Sequence, residues 1–260
     1  MLSVTNYFTS AYSGYSNRIR GILTAERAKQ EYGVDYALNW TKTQLISCEL
    51  EDILKNAIKK TDQFGTMLTH RLKAFPNDDL TGYGPHLSKP EQRFLDLEYE
   101  RIPESVRNTY LPYFGWLDFQ PCVADKVASL VESFKGAMPI GLHCRNAFDW
   151  DAVGRQCPIE RYREAVDLFP KELPIYLVVH SPGLIDVFKE FYGNRIIVQP
   201  DKEWSVKEKK HTQGVAVESL VLSKLNMLVA DELSTFVETS WWLGGCTAKV
   251  IRINKREICK

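Results

Sequence analysis

The residues best equipped for chemistry are a histidine and an arginine two positions apart, His143 and Arg145, closing the apolar run Ile140-Gly141-Leu142. At the end of a strand two such side chains project to one side. A guanidinium there can fork two hydrogen bonds to a phosphate and cannot lose its charge. The competing reading is an Arg145 paired with a nearby carboxylate. A second feature is Ser234-Thr235-Phe236, which follows another apolar run and opens a helix. Hydroxyls in that place are helix caps in most proteins. The free N–H groups and dipole of a helix start also favour an anion. Two phosphate-capable features on one rim make a diphosphate between Arg145 and Ser234/Thr235 the economical reading. Asp149 and Asp151 follow the arginine closely. A carboxylate within reach of a reacting carbon can take a hydroxyl proton, and solvated loop charge is the plain alternative for both.

The elements that must position these groups are regular in the second half of the chain. Hydrophobic spacing predicts helices over Val123–Phe134, Ile159–Leu168, Gly183–Tyr192, Gly214–Leu225 and Ser234–Leu243. Between them fall strands at Pro139–His143, Ile175–Val179, Arg195–Val198, Met227–Ala230 and Ala248–Ile253. Short apolar strands alternating with helices predict an α/β fold with a parallel sheet covered on both faces. In such sheets ligands bind outside the carboxyl ends of the strands. The loops after His143, Val179, Val198 and Ala230 therefore share one rim. The first half is less regular: a helix over Asn17–Gly33, a strand over Val34–Trp40 and a helix over Leu50–Lys59, then a proline-punctuated stretch from Thr61 to Phe119 read as loops and short helices. That contrast sets a domain boundary near 120, with residues 1–120 forming one α/β domain and 121–260 the other.

Composition narrows the function classes. With 44% hydrophobic and 25% charged residues the chain is globular rather than disordered. Lys plus Arg and Asp plus Glu are both 33, which argues against coating nucleic acid or an anionic membrane. The start lacks a signal-peptide pattern and no stretch has the roughly 20 apolar residues needed to span a bilayer. The expectation is a soluble, cytoplasmic protein with no membrane span. Six cysteines stand singly, without zinc spacing, so free thiols are expected.

Five motifs in order are similar to those of the fucosyltransferase superfamily, which holds the nodulation and core α-1,6-fucosyltransferases and the protein O-fucosyltransferases. Gly14-Tyr15-Ser16-Asn17-Arg18 resembles their G-F-G-N-R start. His143-Cys144-Arg145, running on to Asp149-Trp150, resembles H-x-R. Ile175 through Pro182, with His180 before Ser181-Pro182, resembles their "YLATDSP" segment. Gln213 through Lys224 fits a helix with an acidic residue four after its glycine, and Ser234-Thr235-Phe236 resembles S-S-F. The resemblance covers residues 120 to 253 and 14 to 40. It implies a GT-B-like pair of Rossmann-type domains facing each other across a cleft. The activity it implies is an inverting, metal-independent glycosyltransferase taking a nucleotide sugar, GDP-fucose in the family, with a glycan or glycoprotein acceptor and no cofactor.

The same resemblance implies roles. Arg145 would hold the β-phosphate and share charge with the leaving group, and His143 would contact the donor and fix its loop. Glu218, read as lying on the first turn of its helix, would receive guanine. Ser234 and Thr235 would bind the diphosphate, and Phe236 would pack on the base. Gly14, Tyr15 and Asn17 would close over the donor from the first domain, and His180 stands on the donor side. The chain departs from the family at Asn146, where several members have a second arginine, and at Val179-His180 in place of Thr-Asp. Glu218 is a methylene longer than the usual aspartate. These departures keep another donor, such as UDP-xylose, in play, as well as a non-catalytic binding relative. Asp149-Trp150-Asp151 also fits the D-x-D pattern by which other glycosyltransferases hold a metal, though it lies several residues beyond the strand. The acceptor surface is expected around Asp78 to Tyr113.

Overall fold

The computed structural model describes residues 2–5, 14–32, 35–43, 45–60, 104–134, 136–145, 157–231, 234–253 and 258–259. Most of the stretch expected to carry the acceptor surface lies outside the described residues. The chain divides into two compact units, residues 1–124 with 205–216, and residues 125–204 with 217–260. A single cut near 120 does not anticipate the segment 205–216, which folds with the first unit.

In the first unit the strand β1 (Leu2–Thr5) lies parallel to β2 (Tyr36–Asn39), with α1 (Tyr15–Tyr32) between them in sequence. Ile19, Ile22, Leu23 and Ala25 bury the inner face of α1, as their helical spacing requires. Arg18 is buried too: its guanidinium lies 5.1 Å from the Trp40 ring centre and donates to the Thr41 carbonyl at 2.8 Å. The helix expected over Leu50–Lys59 shrinks to one 3-10 turn, Leu50–Asp52. Its backbone pairs instead with a distant segment: Lys55 N donates to Asp118 O at 2.7 Å and Gln120 N to Ile53 O at 2.8 Å. A helix not anticipated, α2 (Glu104–Trp116), carries Pro112 within it. Residues 205–216 are held by Ser47 N donating to the Thr212 hydroxyl at 2.8 Å and by Gln213 reaching the Asp52 carbonyl at 3.0 Å.

The second unit begins within α3 (Pro121–Ser133). There follow β3 (Ile140–Cys144), α4 (Ile159–Val166), β4 (Ile175–Val179), α5 (Gly183–Tyr192), the two-residue β5 (Ile196–Ile197) and α6 (Lys209–Leu222). The chain ends with β6 (Met227–Asp231), α7 (Thr235–Leu243), β7 (Lys249–Ile253) and β8 (Ile258–Cys259). The six strands are ordered β5-β4-β3-β6-β7-β8, parallel except for β8. The expected parallel sheet is present, and its order reverses between β3 and β6. A doubly wound sheet opens its ligand crevice at that reversal.

Alternation along the strands fills both faces. Ile140, Leu142, Cys144, Ile175, Leu177, Val179, Val229 and Ile251 form one core with Tyr162, Leu184 and Phe188. On the other face Tyr176 meets Phe134, and Gly141 lies beneath α6. Trp241 and Trp242 are buried. Helix α6 starts at Lys209 rather than Gly214.

Two glycines mark close approaches. A Cβ at Gly244 would stand 2.5 Å from the Ser223 carbonyl oxygen, whereas one at Gly141 would meet the movable ends of Leu222, Leu225 and Leu228. Gly244→Ala should therefore destabilise by about 1–3 kcal/mol, and Gly141→Ala by less because leucine termini can rotate away. Urea unfolding midpoints of the two variants check the ranking.

Candidate functional site

The reversal between β3 and β6 brings the two sequence features together. His143 pairs in register with Ala230, so the strand ends that carry Arg145 and Asp231 are neighbours. Asp231 closes β6 with its carboxylate turned inward, 8% exposed. It accepts the Tyr162 hydroxyl from α4 and the Arg145 backbone N–H at 3.2 Å. Burial pushes the Asp231 carboxyl up to about 6, while the Tyr162 hydroxyl, the Arg145 N–H and the Arg145 charge pull it down. The expected alternative, an Arg145 guanidinium tied to a carboxylate, has no ion pair among the described residues. Asp231 takes the backbone N–H of Arg145.

His143 is neutral. Burial pushes its imidazole down to about 3, with the positive charges of Arg145, His180 and Lys202 acting in the same direction. One ring nitrogen, Nδ1, lies 3.1 Å from the Ser234 hydroxyl, and the ring stacks on Phe236 with centroids 5.0 Å apart. Ser234 is the N-cap of α7, its hydroxyl accepting the Val237 N–H at 3.3 Å. That hydroxyl thus serves the cap and the histidine together. The backbone N–H groups of Thr235 and Phe236 have no intrahelical partner and carry the positive end of the helix dipole. They, more than the serine hydroxyl, equip this corner for an anion.

One strand away, Glu218 is almost fully buried on α6. It sits in the third turn, not the first, because the helix begins at Lys209; a favourable interaction with the helix start is therefore not its role. Its Oε1 accepts from Lys202 Nζ at 2.6 Å, and the same ammonium donates to the Val179 carbonyl at 2.6 Å. Burial pushes the Glu218 carboxyl up and Lys202 pulls it back.

His180 is exposed in the bend after β4. Gly14, Tyr15 and Asn17 belong to the first unit: the Gly14 carbonyl accepts from Arg18 N at 3.2 Å to open α1, Tyr15 is buried and Asn17 half-buried. Asp149 and Asp151 lie outside the described residues. Among the described residues no group of three or more His, Cys, Asp or Glu is placed to hold a metal, and no helix is long and apolar enough to cross a membrane. Cys48, Cys122, Cys144, Cys157 and Cys246 are free thiols. Sequence reasoning passed over three residues of the site: Asp231, Tyr162 and Lys202. Only Asp231 carried a signal, an acid closing an apolar strand.

No protein-family model matches the chain, and no curated protein matches it in sequence. Its fold does match solved structures. A NodZ α-1,6-fucosyltransferase co-crystallised with GDP is 10% identical, with a TM-score of 0.63 over 99% of this chain and 96% of that one. NodZ from Bradyrhizobium gives 12%, 0.62, 99% and 97%, and a mutant of Arabidopsis thaliana FUT1 in complex with GDP gives 15%, 0.57, 98% and 71%. The chain has a fucosyltransferase-like fold.

The two perturbed groups titrate stability in opposite senses. A carboxyl in the unfolded chain loses its proton near 4, so between about pH 4 and 6 the folded Asp231 holds a proton that the unfolded one has lost. Its contribution to stability falls as pH rises through that window and is level above it. An unfolded imidazole takes a proton near 6.5 that folded His143 refuses until about 3, so its contribution falls as pH drops through that range. Subtracting the unfolding free energy of Asp231→Asn from that of the wild type isolates the first effect. The difference should decline by on the order of 2–3 kcal/mol from pH 4 to 6.5, measured by urea titration.

Proposed function

We propose that this chain is an inverting, metal-independent glycosyltransferase. It transfers a sugar, L-fucose from GDP-fucose, to a hydroxyl of a glycan or glycoprotein. The observation that carries the reading is Arg145 held by its backbone at the sheet reversal, beside the open N–H groups of α7, in a fold whose neighbours were solved with GDP. A diphosphate in that corner meets one fixed positive charge, two backbone donors and a helix dipole. All three strengthen as the sugar–phosphate bond breaks and charge gathers on the leaving group. His143 is neutral and contributes shape and polarity rather than a proton. Ser234 holds it in place, and Phe236 backs its ring.

The acceptor proton passes to a carboxylate, for which Asp149 and Asp151 are the candidates. Gly14, Tyr15 and Asn17 are the first unit's candidates for contact with the donor. Glycine at 14 is not required by packing, since an added Cβ would meet nothing within 4 Å; it leaves room for a ligand. His180 borders the donor. One observation favours a second reading, a donor other than GDP-fucose: the carboxylate of Glu218 is already engaged by Lys202.

Arg145→Ala should lower turnover of GDP-fucose by about 10²–10³, the usual cost of one donor to developing negative charge. Arg145→Lys should not restore it, because the planar fork is gone. GDP release with and without glycan acceptors is the measurement, and an alanine variant with wild-type turnover refutes the assignment. Turnover should also survive EDTA. Loss in chelator with recovery on adding Mn²⁺ would make Asp149 and Asp151 metal ligands. Slow GDP release without acceptor separates an enzyme from a binding protein.

A further inference from the structure

We propose that Tyr162 and Asp231 are a positioning couple: together they fix the backbone of Arg145 relative to the start of α7, and so set the spacing at which a diphosphate is met. The inference rests on the diphosphate site proposed above. Asp231 holds both sides of that site. Its side chain accepts the Arg145 N–H at 3.2 Å, and its main-chain carbonyl accepts the N–H of Ser234, the cap of α7, at 3.0 Å. The other carboxylate oxygen takes the Tyr162 hydroxyl. The Tyr162 ring is itself wedged in the core, edge-on to Phe188 with centroids 6.3 Å apart, so α4 braces the carboxylate from behind. Among the described residues Asp231 has no ion pair. A buried carboxylate in that state is costly, and an asparagine would accept the same N–H at a smaller desolvation cost. What the charge adds is a stiffer hold, since hydrogen bonds to an ionised acceptor are roughly twice as strong as neutral ones.

Such a couple has its own pH signature. Burial, then the nearby Cys144 and Asp231, hold the Tyr162 hydroxyl protonated far above the usual range, so it is always a donor. Asp231 is the member that titrates. Burial raises it to about 6, against the Tyr162 hydroxyl, the Arg145 N–H and the Arg145 charge. Cys157, ahead of α4, acts on Tyr162 as well, and from β7 the apolar Ile253 pairs with Asp231 in register. Once protonated, Asp231 turns one oxygen into a donor and cannot accept from both partners in the same way. Turnover should therefore fall as pH drops through about 6. The diphosphate of GDP-fucose, esterified at both ends, has no proton to exchange in that range.

Tyr162→Phe keeps the ring and removes only the hydroxyl, and a double-mutant cycle with Arg145→Ala tests the couple. Turnover of GDP-fucose by the full chain, read as GDP release, should fall about tenfold to a hundredfold in Tyr162→Phe, the usual cost of a small misplacement. Its acid limb should move to higher pH, because a bond that favours the carboxylate is gone. In the Arg145→Ala background the same substitution should change turnover by less than about twofold, since the hydroxyl acts through the arginine. Asp231→Asn keeps an acceptor for the Arg145 N–H, so it should retain part of the rate and lose the limb near 6. That variant carries the test alone if Tyr162→Phe does not fold. If GDP binds but GDP-fucose is not turned over, the cycle is read in GDP affinity by calorimetry. An equal loss in both backgrounds, unchanged turnover in Tyr162→Phe, or an acid limb that persists in Asp231→Asn overturns the couple and spares the diphosphate site. A wild type that neither binds GDP nor releases it from GDP-fucose, or an Arg145→Ala variant equal to the wild type, overturns the diphosphate reading, and this inference with it.

Discussion

The candidate site is organised by one carboxylate that the fold keeps inside. Asp231 ends the strand where the sheet reverses, and there it joins three elements: its own strand, α4 through Tyr162, and the turn after β3 through the Arg145 N–H. Without it, a buried hydroxyl and a backbone N–H would lose their acceptor together, which costs more than either bond contributes when made. The strand end is thereby pinned, and the backbone at Arg145 is held where it leaves the sheet. The proposed diphosphate site needs this. An arginine already neutralised by a neighbouring carboxylate would have to break that pair before binding.

The chemistry that gathers around this pin is positive without a positive protein. Lysine plus arginine balances aspartate plus glutamate over the whole chain, yet the corner holds a guanidinium, an open helix start and a histidine that burial keeps uncharged. Neutrality of His143 matters. A second full charge beside Arg145 would be costly when the site is empty, and burial removes it. The ring can then pack on Phe236 and bond to Ser234 as an ordinary polar group. Ser234 shows how closely the parts are shared, since a single hydroxyl caps α7 and fixes the histidine that shapes the crevice.

The likeness to NodZ and FUT1 holds at 10–15% identity. A sheet of this kind tolerates many sequences because alternating apolar residues on parallel strands, packed on both faces, satisfy the same constraint.

Local pattern was enough for much of the second unit. Ile175–Val179 and Gly183–Tyr192 fall where periodicity placed them, and the capping serine of α7 was legible because hydroxyls before an apolar helix have a local physical reason to be there. The rim itself followed from parallel strands alone. What local pattern misread was settled by distant partners. Leu50–Lys59 has helical spacing, yet its backbone finds hydrogen bonds with residues 118–120. Helix α6 begins five residues early, so Glu218 moves from the helix start to a buried third turn, where a lysine sixteen residues before it supplies the countercharge. Asp231 looked like the first residue of a loop and became the pin of the site because Tyr162, 69 residues away, turns its hydroxyl toward it. Residue types and their spacing determined that an arginine and a helix start would share a rim. Only the tertiary structure decided which charges there are already satisfied, because satisfaction depends on partners that chain distance does not reveal.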